Sequence, residues 1–300
     1  MDNGMLPLAG MKIGMFGKGG AGKSTVTVLF ARTLCERGYD VTILDADSTN
    51  VGLHQALGIT TPPKPLLDYF GGAVFSGGQV TCPVDDPTPL PNAVLRWDRL
   101  PEAYYARAEN GIRYLSAGKI GDQGPGAGCD GPVAKIARDV TVDGQSDKAV
   151  TLVDFKAGFE DSARGAITKL DWAVVVVDPT NAAIQMAVDM QHMVGQIQAG
   201  ELPATRHLES QELVDMANAL FRNATIQGVF LVLNRVTSQQ MEDFVKSQLA
   251  AHDLHPLGII HADPAIAMAW LTGSTLESKP ANDEIQKVIK NLEQAVLQRA

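Results

Sequence analysis

Short apolar runs, most closed by a glycine or an acidic residue, recur along the chain and alternate with stretches whose apolar positions fall three and four apart. MKIGMFG from Met11, VTILDAD from Val41, IRYLSAG from Ile112, AVTLVDF from Ala149, WAVVVVDP from Trp172, VFLVLNRV from Val229 and LGIIHAD from Leu257 read as strands. They are almost continuously apolar instead of alternating, the mark of strands buried on both faces. Between them Val26, Leu29, Phe30 and Leu34 lie on one helical face, with Gly38 placed to end that helix. Helical spacing recurs over 182–197, 209–222 and 241–251. Beyond Asn282 it places Ile285, Val288, Ile289, Leu292 and Val296 on one side. Strands alternating with helices predict an α/β fold, a mostly parallel doubly wound sheet flanked by helices, with every strand's C-terminal end along one rim.

The pattern breaks over 60–110, rich in Pro and Gly (TPPKP, FGG, DDPTPLP), with no clear period. A segment this long is expected to be a functional insertion or partly disordered. Residues 1–10 read as a loose leader and 11–300 as one domain carrying that insertion. The final helical face is flanked by Glu284, Lys287, Lys290 and Glu293, so it suits packing on the body and not a basic membrane-surface helix.

Composition narrows the classes. With 300 residues, 45% of them hydrophobic, the chain can bury a large core. No stretch is apolar for long enough to span a bilayer, and the start lacks the basic and apolar regions of a secretory signal. A cytoplasmic location with no stable membrane association is expected. The net charge of -9 argues against nucleic acid as a partner, which needs clustered Lys and Arg. Cys35, Cys82 and Cys129 are odd in number and far apart, so they do not form a disulfide framework.

The chemistry is concentrated after the first strand. Gly17-Lys18-Gly19-Gly20-Ala21-Gly22-Lys23-Ser24-Thr25 contains G-x-x-x-x-G-K-S between a strand and a helix. Glycines let the backbone aim N–H groups at phosphate oxygens at the positive end of a helix. Lys23 is placed to neutralise the β and γ phosphates of ATP or ADP, and the Ser24 hydroxyl to ligate Mg²⁺. Acidic residues close two further strands. Phosphoryl transfer needs a held metal and an oriented water, and by position Asp154 suits a hold on Mg²⁺. Asp45 reads as a structural partner to loop or metal.

The loop resembles that of the ATPases sharing KGG-x-x-K-[ST], which include the nitrogenase iron protein, septum-positioning and plasmid-partition ATPases and metal-insertion ATPases. The resemblance implies a homodimer closing around two ATP molecules, with Lys18 reaching the facing subunit's nucleotide in the manner of an arginine finger. Asp47 resembles the family's water-positioning aspartate, in the vicinity of Mg²⁺. Asn234 and Arg235 end the strand where the family reads adenine through an Asn. Asp263 and Pro264, in the stretch from His261, resemble the loop that covers the base, His261 being itself a loop residue.

Four segments resemble the carbon monoxide dehydrogenase nickel-insertion ATPases: LPEAYYARAENGIRYLSAGKI from Leu100, GAGCDGP from Gly126, VDFKAG from Val153 and VVVDPTNAAIQMA from Val175. With the phosphate loop they are spread over residues 17–187, more than half of the chain. That branch implies an ATP-hydrolysing maturation factor that delivers nickel to, or remodels, a metalloenzyme client, with thiolates of a Cys-x-Cys-Pro holding the metal between subunits. This chain departs from it in having Gly131 at the second cysteine and Lys156 where the branch carries an acidic residue. Cys129 is then either a Ni²⁺ or Zn²⁺ ligand at the dimer interface or a small packed hydrophobe, and Cys82 can supply a second sulfur only if the insertion folds back. Cys35 reads as helix packing. The alternatives are a positioning or partition ATPase and an electron-transfer ATPase.

Overall fold

The computed structural model describes residues 6–119, 129–143, 146–163 and 165–299. Residues 1–5 of the leader and Gly126–Gly128 of the glycine-rich segment lie outside them.

In chain order the elements are β1 (Lys12–Gly17), α1 (Lys23–Glu36), β2 (Asp40–Ala46), α2 (Leu53–Ala56), α3 (Leu66–Tyr69), β3 (Val94–Arg96), β4 (Ala106–Arg107), β5 (Arg113–Ser116), α4 (Gly131–Asp139), β6 (Thr141–Asp143), β7 (Ala149–Phe155), α5 (Glu160–Ala163), β8 (Trp172–Val177), α6 (Asn181–Gln198), α7 (Gln211–Arg222), β9 (Gly228–Val236), α8 (Gln239–Ala250), β10 (Pro256–His261), α9 (Pro264–Thr272) and α10 (Lys279–Arg299). Among the described residues eight strands form one sheet in the order β10-β9-β8-β1-β7-β2-β5-β4. Every pairing in it is parallel except the short edge strand β4, which runs antiparallel to β5. The doubly wound sheet expected from the alternating pattern is therefore present.

Its strands read as unbroken apolar runs because both faces are covered. In β1, Phe16 turns into a cluster with Phe155, Val175 and Leu231 under α4 and α6. Ile13 and Met15 turn the other way, into a cluster with Val28, Leu29 and Trp172 under α1 and α10. The two-residue side-chain period of a strand thus serves two cores at once. The Phe16 and Phe155 rings stack at 4.6 Å across β1 and β7. As the helical spacing predicts, Ile285, Val288, Ile289, Leu292 and Val296 of α10 are buried against the second cluster.

Two expectations change. Within the leader, Leu8 is buried, its N–H donates to the Tyr39 hydroxyl at 3.2 Å, and Gly10 N donates to Ala149 O at 2.7 Å. Residues 6–10 are therefore packed on the domain and not loose. The Pro- and Gly-rich stretch is folded. It contributes α3, β3 and β4, and its Leu66, Val80, Leu90, Leu95 and Leu100 join the core under α4. Its sequence shows no period because its elements are a single turn or two to three residues long, too short for a repeat to declare itself.

Register sets the chemistry. In the β2–β7 pairing Asp45 stands beside Asp154, and in the β1–β7 pairing Met15 stands beside Asp154. The acidic strand ends and the phosphate loop are thereby brought to one point on the C-terminal rim, where open parallel sheets bind ligands.

Candidate functional site

The loop from Gly17 to α1 has a backbone that side chains would block. Gly17 has φ 155 and Gly22 φ 91, both in the region L-residues avoid. A Cβ at Gly17 would lie 2.7 Å from Val176 O, and one at Gly22 only 2.2 Å from Asn234 Nδ2. These glycines let the loop sit directly against β8 and β9, so the N-terminus of α1 opens onto the rim. The loop is braced from β9, where Asn234 Nδ2 donates to Ala21 O at 2.7 Å and Arg235 Nη1 to Gly20 O at 2.6 Å. Asn234, expected at the adenine, here holds the phosphate loop.

Behind the loop the groups expected to hold Mg²⁺ converge. Ser24 Oγ donates to Asp154 Oδ2 at 2.7 Å and accepts from Asn50 Nδ2 at 2.7 Å. Thr27 Oγ1 donates to Asp154 Oδ1 at 2.9 Å. Asp154 is completely buried, and burial, reinforced by the nearby Asp45 charge, pushes its carboxyl up to about 7 against the opposing pull of Lys23, Ser24 and Thr27. A carboxyl in that state is poised to ionise when a cation arrives. Oxygen donors of this kind fit Mg²⁺, and the glycine cradle beside buried Lys23 fits a nucleotide's phosphates.

Asp45 and Asp47 divide their work. Asp45 is buried, accepting from the Tyr114 hydroxyl at 2.5 Å and from Lys119 Nζ at 2.8 Å, and Lys119 Nζ also donates to Asp47 O at 2.6 Å. Burial raises the Asp45 carboxyl and Lys119 pulls it back, which is the structural role expected. Asp47 Oδ1 accepts from Thr49 N at 3.0 Å, Thr49 Oγ1 at 2.7 Å and Asn50 N at 3.2 Å. It ties down the turn that brings Asn50 to Ser24. Lys18 Nζ stands 3.5 Å from Asp178 Oδ2 at the end of β8.

Just past β10, Asp263 caps α9 through Ala265 N at 2.8 Å and accepts from the Ser278 hydroxyl, with Pro264 in the first turn. His261, expected in a loop, is instead the last residue of β10, and its Nδ1 lies 2.6 Å from Glu284 Oε1 of α10. Three residues of the site escaped sequence reading: Asn50, Lys119, and Trp270, whose Nε1 donates to Thr25 Oγ1 at 2.8 Å. Asn50 could have been found as the polar residue closing the acidic turn. Lys119 and Trp270 carry no local signal.

Cys129 stands at the start of α4, its Sγ accepting from Gly131 N at 3.4 Å. The next residue, Asp130, accepts from Lys156 Nζ at 2.7 Å and from Ser48 Oγ at 3.5 Å. Lys156, the departure from the branch pattern, thus meets a carboxylate beside the cysteine. Cys35 Sγ donates to Asn110 O at 3.0 Å, consistent with packing. Among the described residues no group of three or more His, Cys, Asp and Glu side chains gathers within one metal ion's reach.

A parallel sheet with a glycine loop against its central strand, a lysine and a serine opening the following helix and two aspartates at neighbouring strand ends define a P-loop nucleotide-binding protein. The chain belongs to the CobQ/CobB/MinD/ParA nucleotide-binding domain family of P-loop ATPases, whose model matches residues 15–276. It is 32% identical over 185 residues to an uncharacterized ATP-binding protein of Methanocaldococcus jannaschii, covering 61% of this chain and 73% of that one. It is 30% identical over 185 residues to the carbon monoxide dehydrogenase accessory protein CooC of Rhodospirillum rubrum, covering 60% of this chain and 68% of that one. Among solved structures the fold matches the septum site-determining protein MinD of Pyrococcus horikoshii complexed with Mg-ADP, at TM-score 0.59 and 18% identity over 97% of this chain and 98% of that one. A ParA family ATPase of Chlorobium tepidum matches at TM-score 0.56 and 15% identity over 95% and 98%.

Proposed function

We propose that this chain is an ATP-hydrolysing maturation factor of the cytoplasm, acting as a homodimer that delivers a metal, nickel foremost, to a metalloenzyme client such as carbon monoxide dehydrogenase. The observation that carries the reading is the position of Asp130. This neighbour of Cys129 is hydrogen-bonded to Ser48, one residue past Asp47, and to Lys156, two residues past Asp154. A change of nucleotide state felt at either strand end therefore reaches the cysteine through one side chain. The 30% identity with an accessory protein of carbon monoxide dehydrogenase supports the client class.

In this reading the loop N–H groups and Lys23 bind the phosphates, and Ser24, backed by Asp154, holds Mg²⁺, which draws charge from the phosphate oxygens. Asp47 orients the attacking water, whose oxygen joins the γ-phosphorus as the bond to ADP breaks, giving ADP and phosphate. Lys18 must leave Asp178 to reach a facing subunit's phosphates. Lys18→Ala is accordingly expected to bind nucleotide within about threefold of wild type, since it loses only a partly buried ion pair at 3.5 Å that lies outside the phosphate cradle, but to stay monomeric with ATP. Size-exclusion chromatography with light scattering reads this, and an ATP-dependent dimer in the variant rejects the trans role.

The whole reading is tested by Cys129→Ser. Client activation should fall to background while ATP turnover stays within about twofold, because the thiol lies outside the phosphate site. Full client activation by the variant would remove the metal-delivery function and leave an ATPase with another cargo.

A further inference from the structure

The cysteine of the insertion does fold back. The segment carrying Cys82 lies along α4 and is fastened by that helix's own polar side chains. Lys135 Nζ donates to Thr81 Oγ1 at 2.6 Å and to Asp86 O at 3.1 Å. Arg138 Nη2 donates to Thr88 O at 3.0 Å, and Asp139 Oδ2 accepts from Leu90 N at 2.8 Å. Lys135 and Arg138 are both buried, so these are desolvated, charge-assisted contacts that fix the segment's position. The result is that Cys82 is pressed against Gly131. A Cβ on Gly131 would lie 2.5 Å from Cys82 Sγ, 2.9 Å from its Cβ and 3.2 Å from its Cα. The space a side chain at 131 would need is already filled by the thiol of residue 82. Cys129 Sγ meets the same residue, accepting from Gly131 N at 3.4 Å, and the two cysteines interact electrostatically.

Both sulfurs sit at the N-terminal end of α4. Backbone N–H groups of Val84 and Asp85 point at Cys82, as Gly131 N–H points at Cys129. At Cys82 burial is the larger effect and pushes the thiol up against the pull of those two N–H groups, so its proton is held until an arriving metal ion displaces it. Neither cysteine is sealed in the core, since both are partly exposed and so open to an arriving ion. Two sulfur donors together select thiophilic ions over Mg²⁺ or Ca²⁺. We infer that Cys82 and Cys129 form a two-thiolate site for a thiophilic divalent metal ion, the insertion supplying the second sulfur in place of residue 131. The remaining coordination positions are left to groups from outside the chain, a second copy or a client, which suits an ion that is to be handed on. Binding releases one proton from each thiol to solvent as the two metal–sulfur bonds form. The assignment rests on the maturation reading for its cargo but not for its geometry.

The test uses the full chain, reduced and kept anaerobic, with Co²⁺ and Zn²⁺ as probes. Wild type should develop thiolate-to-cobalt charge-transfer absorption that Zn²⁺ displaces. Cys82→Ser and Cys129→Ser should each lose that absorption and weaken Zn²⁺ binding at least tenfold, about 1.4 kcal/mol, with ATP turnover retained. Metal-protected alkylation of wild type, read peptide by peptide, gives the same answer without a substitution. Cys82 and Cys129 should be protected together, with Cys35 as the internal control. Protection of Cys129 alone, or a Cys82→Ser protein that binds as wild type does, would overturn the two-thiolate site and leave the maturation reading standing. Failure of wild type to bind either ion would also overturn it, and client activation by Cys129→Ser would then decide the maturation reading separately.

Discussion

Lys23→Ala is expected to lower affinity for Mg-ATP at least a hundredfold, with a smaller loss for Mg-ADP. Lys23 is buried beside fully buried Asp154 and is one of the groups that hold the Asp154 carboxyl down. A polyanion entering the site meets the loop N–H groups, one carboxyl and this ammonium. Without the ammonium the loop dipoles must offset the phosphate charge and the repulsion of Asp154 unaided. A hydrogen-bonded charge of this kind contributes about 1.5–3 kcal/mol per contact. With contacts to the β and γ phosphates, the top of that range, about 3 kcal/mol, is the least to expect for ATP, and every 1.4 kcal/mol is tenfold. Calorimetric titration with each nucleotide measures it. A second reading comes from heat denaturation. Wild type at a hundredfold excess of ligand over its dissociation constant gains about 2.7 kcal/mol, and the variant should show almost none of that gain. The nucleotide-free variant should melt close to wild type, which separates lost binding from lost folding. Affinity within tenfold of wild type would mean that the glycine cradle alone captures the phosphates.

The phosphate loop was legible because every part of it is local. Gly17, Gly22, Lys23 and Ser24 lie within one strand–turn–helix, and the backbone they need is written in the glycines themselves. The sheet was legible for a related reason, since strands buried on both faces must be apolar throughout. Parallel order then carries Asp45 and Asp154 to the same rim whatever the strand sequence. What could not be read is what distant segments do to one another. Asn234 ends β9 as expected, yet it braces Ala21 from more than two hundred residues away. Lys119 pairs with Asp45 across 74 residues and Trp270 with Thr25 across 245. Helix α4 went unseen because Lys135 and Arg138 interrupt its apolar spacing. Charged residues signal a solvated face unless partners are known, and these partners, Thr81, Asp86 and Thr88, lie in the aperiodic insertion. The missing second cysteine of the motif and the folding back of Cys82 are one fact seen from two ends, and only the packing joins them.

That packing makes Gly131→Ala a sharp test, because two effects oppose each other. Alanine is the better helix former by up to about 1 kcal/mol, and Gly131 is the first residue of α4 with no positive φ to protect. On helix propensity alone the substitution would stabilise. Against it stands a Cβ driven to 2.5 Å from a sulfur and 2.9 Å from the Cβ of a segment fastened by Lys135 and Arg138. Overpacking of this sort costs about 1–3 kcal/mol, and the clash involves backbone-near atoms that cannot rotate away. The overlap should win. Gly131→Ala is expected to be less stable than wild type by about 1–2 kcal/mol in urea unfolding. In a Cys82→Gly background, where both close atoms are gone, the same change should cost little or even stabilise, giving a coupling of about 1 kcal/mol or more. Gly131→Cys, which would write the branch's Cys-x-Cys into this chain, meets the same obstacle and should displace Cys82 before it gains a ligand. Were Gly131→Ala to stabilise the wild-type background, Cys82 would not occupy that space, and the two sulfurs would have no common place to hold a metal.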